Sequence, residues 1–108
     1  MSNPPLRAAI YARYSSDNQR EASLDDQIRI CRRLIAERGW IIAEVYSDAA
    51  ISGASLLRPG YQKLQQDALR GRIDVVVAES IDRISRDQEH IAAFHKQMTF
   101  LGIPVITV

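Results

Sequence analysis

Ser15 stands two residues beyond Arg13, just past a segment from Leu6 to Tyr14 whose middle, Ala8 to Ala12, is a mostly apolar run. If that segment is a strand, the side chains of Arg13 and Ser15 leave it on the same face. A serine hydroxyl beside a guanidinium suits phosphoryl transfer: the hydroxyl attacks phosphorus while positive charge steadies the equatorial oxygens. Arg83 and Arg86 lie three residues apart, so a helix there would put them on one face. Several arginines can bind and polarise a phosphate without a metal. The residue types alone leave plainer readings open. Ser15 and Ser16 could make local turn bonds, and Asp48 and Gly53 could shape a turn. Arg83 and Arg86, beside Asp82 and Asp87, could form a solvated ion-pair face.

Other site chemistries find little support. The chain has no G-x-x-x-x-G-K-[ST] phosphate loop and no G-x-G-x-x-G. His90 and His95 are five residues apart on a helical segment, the wrong spacing for a shared metal and no help as a base for Ser15. Asp74, Glu79 and Asp82 could attract Mg²⁺, but Asp74 opens its strand at the far end. No metal or cofactor is expected. Cys31 falls on an inward helical stripe, where burial is the ordinary outcome.

The elements that would position these residues alternate regularly. Leu6–Tyr14 reads as a first strand, apolar enough to be buried on both faces of a parallel sheet. Ser15–Ala22 reads as a loop. Ser23 is placed to cap a first helix, with Asp25 and Asp26 in its first turn and Leu24, Ile28, Cys31, Leu34 and Ile35 on one stripe. Gly39 is its stop. Ile41–Tyr46 is a second strand, and Ser47–Leu57 a long loop. Pro59 opens a second helix with Tyr61, Leu64, Ala68 and Leu69 inward, ended by Gly71. Asp74–Glu79 is a third strand. Ser80–Asp87 is a polar connection with room for a short helix. A third long helix carries Ile91, Phe94, Met98 and Leu101 inward and ends at Gly102, and Ile103–Val108 is a fourth strand. The order β-α-β-α-β-α-β predicts an α/β fold: three layers, α/β/α, around a mostly parallel four-stranded sheet. In such sheets ligands gather at the carboxyl ends of the strands. Those ends here are Ser15–Gln19, Asp48–Gly53 and Ser80–Arg86, the most polar segments of the chain.

Composition narrows the partners. The 108 residues, 46% hydrophobic and 25% charged, suit one domain. No apolar run approaches a membrane span, so no membrane partner is expected, and the N-terminus lacks the apolar centre of a signal peptide. One cysteine fits a reducing cytoplasm. The net charge of +1 does not mark a DNA-coating surface, although 12 of the 14 basic residues are arginine.

Five segments together resemble a known family. Tyr11-Ala12-Arg13-Tyr14-Ser15-Ser16, with Gln19 after it, is similar to the signature Y-x-R-[VY]-S-[ST] of serine site-specific DNA recombinases of the resolvase/invertase type. Ser23-Leu24-Asp25-Asp26-Gln27 resembles their S-[LI]-x-x-Q, and Asp48 with Ser52-Gly53 their D-x-x-x-S-G. Arg58-Pro59-Gly60 and Ile81-Asp82-Arg83-Ile84-Ser85-Arg86 are similar to R-P-x and [LI]-D-R-[LI]-x-R. Any one is weak; five in order over nearly the whole chain are specific.

The resemblance implies Ser15 as a nucleophile that becomes linked to a DNA 5′ phosphate. It implies Arg13, Arg83 and Arg86 as ligands of the scissile phosphate, with Arg58 approaching it. Asp82 would orient the arginines or assist proton transfer, Gln19 and Gln27 would support the phosphate pocket, and Asp48 would hold the loop framing it. The family cuts both strands, rotates half of a tetramer and rejoins the ends without ATP or metal. The partners implied are DNA and further copies of the chain, as dimer and tetramer. Tyr14 stands where Val is commoner, as in large serine recombinases, the type towards which the S-[LI]-x-x-Q and R-P-G variants lean. The family's catalytic domain continues into more core and a long dimerisation helix, followed by a DNA-binding domain. Residues 1–108 are therefore expected to be a truncated catalytic domain that alone neither binds DNA well nor recombines it. Two other readings are a catalytically inactive relic serving in assembly on DNA, and an unrelated α/β enzyme acting on a small phosphorylated molecule.

Overall fold

The computed structural model describes residues 4–13, 21–48, 58–84 and 88–108. Strand β1 (Arg7–Arg13) leads through helix α1 (Glu21–Glu37) to β2 (Ile41–Asp48). Helix α2 (Pro59–Leu69) returns the chain to β3 (Val75–Ala78), and a short α3 (Ile81–Ile84) and a longer α4 (Gln88–Phe100) lead to β4 (Val105–Thr107). The sheet order is β2-β1-β3-β4, with every neighbouring pair parallel.

The apolar run of β1 explains its place at the centre. Ala8 to Ala12 are fully buried, as are Val75 to Ala78 of β3, because each strand is flanked by strands and covered on both faces. Alternation along the strands sends side chains to opposite layers. Ala8, Ile10, Val75 and Val77 pack against Cys31 and Ile35 of α1. Ala9, Tyr11, Val76 and Ala78 pack against Leu64 and Ala68 of α2, Ile84 of α3, and Phe94 and Met98 of α4. The architecture is thus the three-layer parallel α/β fold expected from the sequence.

The helix stops follow their glycines. Gly39 and Gly71 sit at φ 73° and 72°, a conformation that costs other residues strain. After each, the next amide reaches back to a helix carbonyl, Trp40 to Ile35 at 3.0 Å and Arg72 to Asp67 at 3.0 Å.

Several boundaries differ from expectation. Helix α1 starts at Glu21, so Ser23 lies in its first turn and not at its cap; Glu21 and Ala22 both favour helix. Strand β2 runs on to Asp48, because Ser47 and Asp48 pair with Ala12 and Arg13. Leu69, expected to face inward, is 62% exposed. Successive helical residues point about 100° apart; Ala68 takes the inner position, and the buried neighbour on its other side is Asp67, whose carboxylate accepts a 2.6 Å bond from the Tyr46 hydroxyl.

Candidate functional site at the carboxyl end of the sheet

From β1 the chain first moves outward to β2, then crosses back to β3 on the other side. The carboxyl ends of β1 and β3 therefore flank a topological switch point, where open α/β sheets form their ligand crevice. Arg13 is the last residue of β1, and Arg83 lies in α3, just beyond β3.

These two arginines are laced together. The Arg13 side chain is buried, and its Nε donates to the Arg83 carbonyl at 3.1 Å. In return, Arg83 Nη1 donates to the Arg13 carbonyl at 3.4 Å. Glu79 Oε2 lies 3.7 Å from Arg83 Nε and offsets part of the positive charge. From the opposite layer, fully buried Gln27 clamps the same turn of chain. Its Oε1 accepts from the Arg13 amide and its Nε2 donates to the Arg13 carbonyl, each at 3.1 Å. Both ends of the Gln27 amide thus hold the backbone from which the Arg13 side chain projects.

A second cluster surrounds Asp48, which pairs with Arg13 in the β1–β2 register. Its Oδ2 accepts from the Tyr11 hydroxyl at 2.6 Å and from the Tyr61 amide at 3.0 Å, and its Oδ1 accepts from the Gly60 amide at 2.9 Å. Asp48 thus caps α2 from a neighbouring strand, a task the N-cap residue Arg58 does not perform with its own side chain. The approach is close enough that a Cβ on Gly60 would lie 2.4 Å from the Ser47 carbonyl oxygen. Arg58 is buried, its guanidinium 4.3 Å from the Tyr61 ring centre and 5.9 Å from that of Tyr11. Desolvation and the Asp48 carboxylate raise the Tyr11 phenol far above its ordinary range, so it stays a neutral donor. Burial likewise raises Tyr61, against the opposing pull of Arg58.

The structure therefore brings Arg13, Gln27, Asp48, Arg58 and Arg83 to one end of the sheet. Ser15, Gln19, Arg86 and the Ser52-Gly53 pair lie outside the described residues. Asp82 falls within α3, and its side chain is likewise outside them. Among the described residues no three His, Cys, Asp or Glu side chains gather as a metal site, and no helix is long and apolar enough to cross a membrane. Sequence reasoning passed over Tyr11 and Tyr61 as site components. The signal was available for Tyr11: a hydroxyl inside an otherwise apolar central strand must find a buried partner.

The fold is a parallel α/β sheet with Arg13 and Arg83 at its switch point. The model of the Resolvase N terminal domain matches residues 8–108, and the chain belongs to that family as a serine recombinase catalytic domain. It is 33% identical over 102 residues to the "Putative DNA recombinase" of Bacillus subtilis (strain 168), covering 93% of this chain. The chain spans 20% of the length of that relative. Among solved structures it is similar to the C-terminal catalytic domain of ISC1926 TnpA, an IS607-like serine recombinase, with TM-score 0.85 and 28% identity over 95% of this chain and 67% of that one. It is also similar to the N-terminal catalytic domain of TP901-1 integrase, with TM-score 0.80 and 30% identity over 94% of this chain and 75% of that one.

Proposed function

We propose that this domain cuts and rejoins DNA in site-specific recombination through a covalent phosphoserine intermediate. The observation that carries the reading is the interlocked pair Arg13 and Arg83 at the switch point, with Ser15 two residues beyond Arg13. Ser15 Oγ attacks the scissile phosphorus. A phosphoserine ester to the 5′ phosphate forms, the bond to the 3′ oxygen breaks, and that oxygen leaves protonated as a hydroxyl. Arg13, Arg83 and Arg86 bind the phosphate and stabilise the charge of the transition state, with Arg58 approaching from the α2 side. Asp82 orients these arginines or helps move the serine proton. Gln19 supports the phosphate pocket, Gln27 acts through the Arg13 backbone, and Asp48 fixes the start of α2. The ester keeps the energy of the broken phosphodiester, so rejoining needs neither nucleotide nor metal.

In this reading the domain works in the cytoplasm as part of a longer recombinase that supplies most of the DNA affinity and assembles as dimers and tetramers. The test is a detergent-quenched reaction of the full-length protein with DNA flanking its gene. A protein–DNA band that survives denaturation, is lost in Ser15→Ala and is strongly reduced in Arg83→Ala supports the proposal. A wild-type band that persists in Ser15→Ala refutes it.

A further inference from the structure

We infer that Tyr61 is a positioning residue: its ring face seats the Arg58 guanidinium at the carboxyl end of the sheet, ready for the DNA phosphate. The inference rests on the recombinase reading for the role of Arg58 and goes beyond it in assigning Tyr61.

Arg58 is only 8% exposed, a degree of burial at which arginine ordinarily needs a partner. Among the described residues it forms no ion pair with a carboxylate. What faces it is aromatic. Its guanidinium lies 4.3 Å from the Tyr61 ring centre, well inside the distance at which a ring quadrupole attracts a cation, and at 5.9 Å from Tyr11 it is near the limit of that range. A ring face holds a guanidinium without consuming its N–H donors as a carboxylate would. The charge is kept in place while the fork stays available for an oxyanion.

The seat is itself fixed. The Tyr61 amide donates to Asp48, and the ring packs edge-on to Tyr11 at 6.0 Å and tilted against Phe94 at 5.5 Å. Tyr61 is three residues beyond Arg58, on the first turn of α2, so the turn that Asp48 caps carries both the cation and its seat. Asp48 therefore reaches Arg58 through Tyr61 and does not pair with it. A leucine at 61 would fill much of the space but offer no quadrupole, whereas a phenylalanine would keep the ring.

The test compares Tyr61→Leu with Tyr61→Phe in the full-length recombinase. One readout is the rate of covalent complex formation on its DNA. The other is the Arg58 Nε–H resonance in protein labelled with ¹⁵N-arginine, assigned by its loss in Arg58→Lys. A proton over a ring face is shifted upfield. We expect Tyr61→Leu to slow the reaction by roughly tenfold or more and to move the Arg58 resonance to the position of an unstacked arginine, while Tyr61→Phe retains most of the rate and the upfield shift. An Arg58 resonance unmoved by Tyr61→Leu, or a Tyr61→Phe rate as low as that of Tyr61→Leu, overturns the inference. If wild type forms no covalent complex, the recombinase reading fails on its own account, and the resonance still decides whether Tyr61 seats Arg58.

Discussion

Replacing Asp48 with alanine should destabilise the domain by about 3 kcal/mol. The side chain is buried and accepts three hydrogen bonds, from the Tyr11 hydroxyl and the Gly60 and Tyr61 amides. The two amides belong to the first turn of α2, and losing a cap of this kind costs about 0.5–2 kcal/mol. The Tyr11 hydroxyl sits in a fully buried residue; left unpaired there, it adds about 1–3 kcal/mol. For a domain of this size, about 3 kcal/mol lowers Tm by roughly 12 °C or more. Asp48→Asn should fall between the two proteins. Its one carbonyl oxygen can serve Tyr11 and Tyr61, but its amide nitrogen then meets the Gly60 N–H donor to donor. Adding Tyr11→Phe to Asp48→Ala should restore about 1 kcal/mol by removing the orphaned hydroxyl. The assay is urea unfolding followed by fluorescence of Trp40, the single tryptophan. An Asp48→Ala unfolding free energy within about 0.5 kcal/mol of wild type, the range of ordinary surface changes, would mean that Asp48 neither caps α2 nor satisfies Tyr11 to any energetic effect.

Gly60→Ala should cost about 2–3 kcal/mol and displace the start of α2, because its Cβ would lie 2.4 Å from the Ser47 carbonyl oxygen; equilibrium unfolding checks the cost. Gln27→Leu should cost about 2 kcal/mol by removing both hydrogen bonds to the Arg13 backbone, and should slow cleavage with no change to any group that touches DNA. Burial, aided by the Glu79 charge, pushes the Cys31 thiol up to about 11, so thiol reagents at neutral pH should label it only when the chain unfolds. The same shift has a consequence for stability. The unfolded chain loses this proton near its ordinary value of roughly 8.5 and the folded chain does not, so stability should fall from there up to about pH 11. Cys31→Ala, although less stable overall, should lose that part of the decline in unfolding measured across alkaline pH.

The layers of the fold were legible because their signals are local. The unbroken apolar run of β1, the 3.6-residue stripe ending at Cys31 and Ile35, and the glycines after the helices each act within a few residues. Parallel strand alternation then left few topologies. The site was legible only as a set of chain segments meeting at one edge. What joins them is non-local and polar. Nothing near Asp48 in the sequence announces that it caps a helix starting at Pro59, and nothing near Gln27 announces the Arg13 backbone. Tyr46 and Asp67, 21 residues apart, close a buried hydrogen bond that made an acidic residue part of an inward stripe and left Leu69 outside. Such pairs are fixed by packing after the layers form, and periodicity carries no record of them.

A covalent link between Ser15 and DNA would leave a chemical mark on the protein. The most direct measurement is peptide mapping by mass spectrometry of the full-length protein, trapped in denaturant while reacting with its own flanking DNA and then digested with nuclease. A nucleotide remnant is expected on the peptide containing Ser15, attached through a 5′ phosphate and absent in Ser15→Ala. A remnant on any other residue, or cleavage of the DNA without one, would contradict the link to Ser15.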